Sequence, residues 1–207
     1  WFASILQAVN QAQFSIECQT YIFEMDSVGR PLLDALCEAA ERGVVVRLIV
    51  DGIGSSAAID ELLNRLKTAG GELHIYNPLP WSWAVSRLER SDWLTRFITR
   101  LGNLNNRQHC KLCLVDRHIA WVGSFNITAQ HLVQPLGRSS WKDAGVQVTG
   151  KRTLLLREFF DAVWFNDIEK MLSHFLFHPL TNFSPALRKR RLRVLLQEIN
   201  HAQRRLW

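Results

Sequence analysis

The run VVVRLIVD, residues 44 to 51, constrains the fold more than any other stretch. It is short, β-branched and almost wholly apolar, so it reads as a strand covered on both faces, the kind found inside a parallel sheet. Both flanks read as helices. Asp26 or Ser27 is placed to cap a helix running to about Arg42, which Gly43 closes, and a second helix spans roughly 56 to 69 and ends at Gly70-Gly71. Upstream, Ile5, Val9 and Ala12 share one side of a helix over 2–13. FSIECQTYIF, from Phe14, alternates Phe14, Ile16 and Cys18 with polar positions as a strand does. ELHIY, 72 to 76, is a third strand. The alternation predicts an α/β sandwich whose sheet contains parallel strands.

The order changes after Asn77. NPLPWSW leads into about 25 residues in which Trp81, Trp83, Trp93 and Phe97 interleave with Arg87, Arg90, Arg96, Arg100 and Arg107; loops of that length are uncommon and usually functional. Trp93 to Leu101 has the spacing of a short amphipathic helix. Strands are expected at 109–115 and 118–122, joined at Asp116-Arg117, then a strand at 143–148 and a helix from about 151 to 172. The stretch from 173, with Pro179 and Pro185, reads as a connection reaching to about 190.

A net charge of +6 points to anionic partners: nucleic acid, an anionic bilayer surface or a phosphorylated small molecule. RKRRLR at 188–193 concentrates it. No stretch stays apolar for the roughly 18 residues that a membrane-spanning helix needs. Cys110 and Cys113 form a CxxC, but three apart on a strand they point to opposite faces, and no second CxxC completes a zinc site. With Cys18 and Cys37 they are expected to be reduced, buried thiols, and no metal is expected.

NNRQHCKLCLVDRHIAWVGSFNIT, residues 105 to 128, carries the chemistry. On a strand, His109 and Lys111 share a face about 7 Å apart. The lysine can neutralise a phosphate oxygen while the imidazole, able to act as nucleophile, base or acid near neutral pH, approaches the phosphorus. Gly123 is expected to let the backbone approach a ligand, with Ser124 and Asn126 supplying a hydroxyl and an amide for phosphoryl oxygens. Asp116, at a hairpin tip, suits a turn as well as a site.

The joint spacing H-x-K-x4-D-x6-G-S-x-N, met by His109, Lys111, Asp116, Gly123, Ser124 and Asn126, resembles the HKD signature of the phospholipase D superfamily. SIECQTYIFEMDSVGRPLLDALCEAAERGVVVRLIVDGIGS and the 105–127 window resemble the N-terminal half of bacterial cardiolipin synthases, and KDAGVQVTG is similar to the segment closing that half. Cardiolipin synthases often have arginine where this chain has Cys110, and Gly-Gly in place of Gly123-Ser124. The resemblance implies a phospholipase D-like α/β/α sandwich, a mixed sheet flanked by helices. It implies His109 as the nucleophile forming a phosphohistidine and a second half's histidine as the acid. Lys111 and Asn126 would sit on phosphate oxygens with Ser124 in support. Asp116 belongs to the catalytic motif, and Asp143 matches a carboxylate that orients a catalytic imidazole, that of the other half or His109. No cofactor and no metal are implied.

LLQEINHAQRRLW at 195–207 echoes ILQAVNQAQFSIE at 5–17, with Leu6/Leu196, Gln7/Gln197, Asn10/Asn200, Ala12/Ala202 and Gln13/Gln203 identical. The organisation expected is a first domain over 1–172, a connection over 173–190 and the start of a second repeat over 191–207. By resemblance the two halves act together in one chain or as a homodimer. The function expected is phosphatidyl transfer on an anionic, phosphatidylglycerol-like phospholipid, at the periphery of the bacterial inner membrane on its cytoplasmic side. A phospholipase D hydrolase or a nuclease of the same fold acting on nucleic acid is the alternative, and the isolated half is expected to be inert as a monomer.

Overall fold

The computed structural model describes residues 1–78, 107–167 and 185–201. The aromatic and basic segment from Trp81, the helix expected at Trp93–Leu101, and the second half of the terminal echo lie outside the described residues. The strands are β1 (Ser15–Thr20), β2 (Val45–Asp51), β3 (Glu72–Tyr76), β4 (Leu112–Val115), β5 (Ile119–Gly123) and β6 (Gly145–Thr149). The longer helices are α1 (Phe2–Gln11), α2 (Gly29–Glu41), α3 (Ile59–Thr68), α4 (Thr153–Trp164) and α5 (Pro185–His201).

The six strands form one mixed sheet in the order β3-β2-β1-β4-β5-β6. β1 pairs with β2, and β2 with β3, in parallel; β4 runs against β1, and β5 and β6 continue antiparallel. One face packs on α1, α2 and α3 through Ile5, Val9, Leu33, Leu36, Leu62 and Leu66, which meet Ile16, Cys18, Val46, Leu48 and Cys113. The other face packs on α4, where Phe159, Phe160 and Val163 meet Ile49, Leu112, Leu114 and Ala120. The molecule is thus an α/β/α sandwich with a core on each side of the sheet.

Coverage on both faces explains why every residue of β1 is buried, polar positions included. Glu17, 1% exposed, meets Arg47 of β2 at 3.1 Å, and Arg47 reaches Asp161 of α4 at 2.8 Å. The guanidinium also lies 5.2 Å from the Phe160 ring centroid. A buried carboxylate survives there because a cation from the next strand satisfies it. Phe14, expected in the alternation, is 69% exposed because the strand begins after it.

Three other boundaries differ from expectation. β4 begins at Leu112 and not at residue 109, since the last residue of β1 that pairs with β4 is Gln19, opposite Leu112. α4 stops at Trp164, where Asn166 takes φ +55° and the N–H groups of Asn166 and Asp167 return to the carbonyls of Val163 and Ala162. That is a Schellman closure with asparagine in the left-handed position. RKRRLR lies within α5, which starts at Pro185, inside the stretch read as a connection; proline suits a first helical turn. Among the described residues no helix is long and apolar enough to cross a membrane.

Cys110 packs toward α4, and Cys113 toward the opposite core, where its Sγ lies 3.1 Å from Sγ of Cys18. Burial pushes the Cys110 thiol up to about 12. All four cysteines are free thiols.

Candidate active site

Strand direction places the motif residues. The ends of β1, β2 and β5 and the beginnings of β4 and β6 all lie on one edge of the sheet, because the last three strands alternate in direction. His109 and Lys111 precede β4, Ser124 and Asn126 follow β5, and Asp143 precedes β6. The sheet order reverses between β1 and β4, and this gap beyond the carboxyl ends of parallel strands is where open α/β sheets bind ligands.

Tyr21, just after β1, is the platform. Its ring centroid is 4.9 Å from that of His109 and 5.6 Å from Nζ of Lys111. The tyrosine backbone is fixed in turn: its carbonyl accepts from Ser55 Oγ at 3.0 Å, and Gly54 packs so close that a Cβ there would lie 2.3 Å from that oxygen. His109 is exposed, whereas Lys111 is 6% exposed and donates from Nζ to the His109 carbonyl at 2.8 Å. Burial lowers the Lys111 ammonium to about 8, against the opposing pull of Cys110 and Asp143. Burial also depresses His109, aided by the Lys111 charge and opposed by Asp51. The imidazole is therefore held toward its neutral form beside a cation.

Asp51, at the end of β2 and fully buried, secures the loop that carries His109. One oxygen accepts from the N–H of Ile53 at 2.9 Å and Gly54 at 3.1 Å, and the other accepts from the Gln108 N–H at 3.2 Å. Asn126 is buried, with Oδ1 accepting from the Ile22 N–H at 3.1 Å. This leaves its amide Nδ2 to donate to an anion. The loops after β1 and β5 are zipped together here by Ile127 N–H to the Ile22 carbonyl and Glu24 N–H to the Ile127 carbonyl.

The remaining motif residues sit differently. Asp116 lies at the far end of β4, about 17 Å of extended chain from Lys111. Its carboxylate accepts from the N–H groups of Gln13, Phe14 and Ser15 at 2.7–3.2 Å, so it fastens the entry to β1 and has no place beside His109. Gly123 makes its close approach to the chain itself: a Cβ there would lie 2.5 Å from the Ala144 carbonyl oxygen. Ser124 is exposed, and its hydroxyl exchanges hydrogen bonds with the backbone of Ala144 at 3.2 and 3.3 Å. Asp143 contacts His131, with Oδ2 2.6 Å from Nδ1, and its field reaches Lys111. Among the described residues no cluster of three or more His, Cys, Asp or Glu is placed to hold a metal.

Sequence reasoning missed Tyr21, Asp51 and His131. Only Asp51 left a signal, a carboxylate closing a buried apolar run. The arrangement offers an imidazole open to solvent and a buried ammonium on one aromatic ring, with the Asn126 amide on the neighbouring loop after β5, a set fitted to bind and attack a phosphoryl group.

Comparison with known proteins shows the family. The family described as cardiolipin synthase, phospholipase D-like domain, matches residues 5–164. Cardiolipin synthase 1 of Bacillus anthracis is 31% identical over 163 residues, covering 79% of this chain and 29% of that protein. Cardiolipin synthase B of Escherichia coli K12 is 31% identical over 150 residues, covering 72% of this chain and 32% of that protein. The chain spans about three tenths of the length of these relatives. Among solved structures, a phospholipase D family member, Nuc from Salmonella typhimurium, shares the fold with a TM-score of 0.52 at 21% identity, over 78% of this chain and 85% of that one.

Proposed function

The chain belongs to the family of cardiolipin synthase, phospholipase D-like domains, and from that premise we propose that it supplies one half of a phosphatidyl-transferring site. His109 attacks the phosphorus of an anionic phospholipid with a phosphatidylglycerol-like headgroup. The bond from phosphorus to the leaving alcohol's oxygen breaks, and the phosphatidyl group rests on the imidazole. A second imidazole, from another such half in the same chain or from a second copy, gives the leaving oxygen its proton. That group then takes the proton of the incoming alcohol, whose oxygen displaces the imidazole and frees His109. Lys111 and Nδ2 of Asn126 bind phosphoryl oxygens throughout.

The observation that carries the reading is the meeting of His109 and Lys111 on the Tyr21 ring, at the point where the sheet order reverses. A second half is supported by α5. Its Ile199, counterpart of the fully buried Val9 in the echo, is 39% exposed, and Leu192 and Leu196 extend the same apolar stripe. The first helix of another unit would carry such a face. The +6 charge supports a peripheral seat at an anionic membrane surface, by family on the cytoplasmic side of the bacterial inner membrane.

Vesicles containing phosphatidylglycerol and plasmid DNA, offered separately to the complete polypeptide, test the reading. The expected result is lipid-product formation with an acid-labile phospho-adduct that disappears in His109→Ala. Nicking of the plasmid without lipid turnover, or turnover that survives His109→Ala, would overturn it.

A further inference from the structure

We infer that His131 is a positioning residue that joins the two flanks of the site, holding the Asn126 backbone with one ring nitrogen and the Asp143 carboxylate with the other. The inference rests on the phosphatidyl-transfer reading, in which Asn126 binds a phosphoryl oxygen. His131 closes the short turn Ala129–His131 after β5, and its side chain is 1% exposed. Nε2 accepts the Asn126 N–H at 2.9 Å, and Nδ1 lies 2.6 Å from Oδ2 of Asp143. A backbone N–H can only donate, so Nε2 keeps its lone pair and a neutral ring carries its proton on Nδ1, which lies close to the carboxylate without the alignment of a hydrogen bond.

The ring has no freedom to exchange these roles. Trp141 meets it edge-on at 5.3 Å, Phe125 packs at 5.3 Å and Phe2 at 6.3 Å. Trp1 stacks on Phe125 at 4.6 Å and braces that wall. Asn126 is consequently fixed at two atoms, its N–H by His131 and its Oδ1 by the Ile22 N–H. Asp143, on a different segment, is held to the same ring and acts on Lys111 from there. One imidazole thus sets the spacing between an anion-binding amide and a carboxylate whose field reaches the lysine. An arrangement of this kind works through the groups it orients, as outer partners of catalytic and metal ligands do.

The two contacts can be cut separately. His131→Phe fills the aromatic box and removes both; His131→Gln retains an acceptor near the Nε2 position, and His131→Asn a donor near Nδ1. On the complete polypeptide with phosphatidylglycerol vesicles, His131→Phe is expected to lose about tenfold to a hundredfold in kcat/KM, with a smaller loss in each of the other two. His131→Asn, which loses the Asn126 contact, is expected to raise KM more than His131→Gln does. Nitrogen-15 spectra of wild type should show Nε2 unprotonated and Nδ1 carrying the proton, with Asp143→Asn moving only the Nδ1 signal. A folded His131→Phe with wild-type kcat/KM, or a proton found on Nε2, overturns the inference. His109→Ala runs beside these variants: its survival would sink the transfer reading itself, whereas its loss beside an unaffected His131→Phe sinks only the role of His131.

Discussion

At the scale of single residues, the proposed site rests on two groups whose proton affinities are shifted by burial. His109 lies below its ordinary 6.5 and Lys111 is lowered to about 8. A nucleophilic imidazole must be neutral and a phosphate-binding lysine must be charged, so kcat/KM is expected to form a bell. Its acid limb should lie below pH 6.5, where His109 gains its proton, and its alkaline limb near 8, where Lys111 loses one. Lys111→Arg should remove the share of the alkaline limb that Lys111 sets near 8, because a guanidinium stays charged through that range, and leave the share set by the second imidazole that must carry the leaving group's proton. An alkaline limb unchanged in Lys111→Arg would assign it to another group. Lys111→Ala is expected to reduce kcat by about 10²- to 10³-fold, the cost of one preorganised charge in such a site.

Elements carry a different share of the motif. The turn between β4 and β5 holds Asp116 at φ +50° and Arg117 at φ +56°, the left-handed conformation that suits aspartate and glycine and strains arginine. Arg117→Gly is therefore expected to stabilise by about 0.5 kcal/mol, the relief of strain partly offset by a more flexible unfolded chain. The hydrogen bond that Thr153 Oγ donates to the Arg117 carbonyl uses the backbone and persists. Asp116→Ala should cost about 2 kcal/mol, since three N–H groups at the start of β1 lose a charged acceptor. Urea midpoints of both variants measure this, with kcat/KM per folded molecule expected to hold in Asp116→Ala. A large kinetic loss without a stability loss would return Asp116 to the chemistry.

For the whole molecule, the proposed cycle needs two imidazoles and the described part of the site offers one. His131 stands near, but its Nε2 is taken by the Asn126 N–H and its ring is buried inside an aromatic box. The 207-residue chain, held as a monomer, is therefore expected to show no phosphodiester turnover, and activity should follow dimer formation or the presence of a second unit. Light scattering combined with a turnover assay checks this. Turnover by a proven monomer would require an acid from within this chain.

Much of the fold was legible locally. Gly43 and Gly70-Gly71 end their helices, VVVRLIVD lies in a sheet covered on both faces, and the Ile5, Val9, Ala12 stripe is buried, because each signal depends on neighbours a few residues away. The joint spacing from His109 to Asn126 was likewise readable, since these residues lie on or beside one hairpin, where order along the chain sets position. Sequence alone therefore determined the family and the sandwich, and put His109 and Lys111 forward as the candidate pair. Tertiary structure decided which motif residues share an edge. An extended strand advances about 3.4 Å per residue, so five positions carry Asp116 to the opposite end of the sheet from Lys111. The reversal of direction at β5 and β6 brings Asn126, His131 and Asp143 together across segments whose individual residues carry no mark of it. Which groups meet depends on strand order and direction, and those are fixed by packing the whole sheet between its two layers of helices.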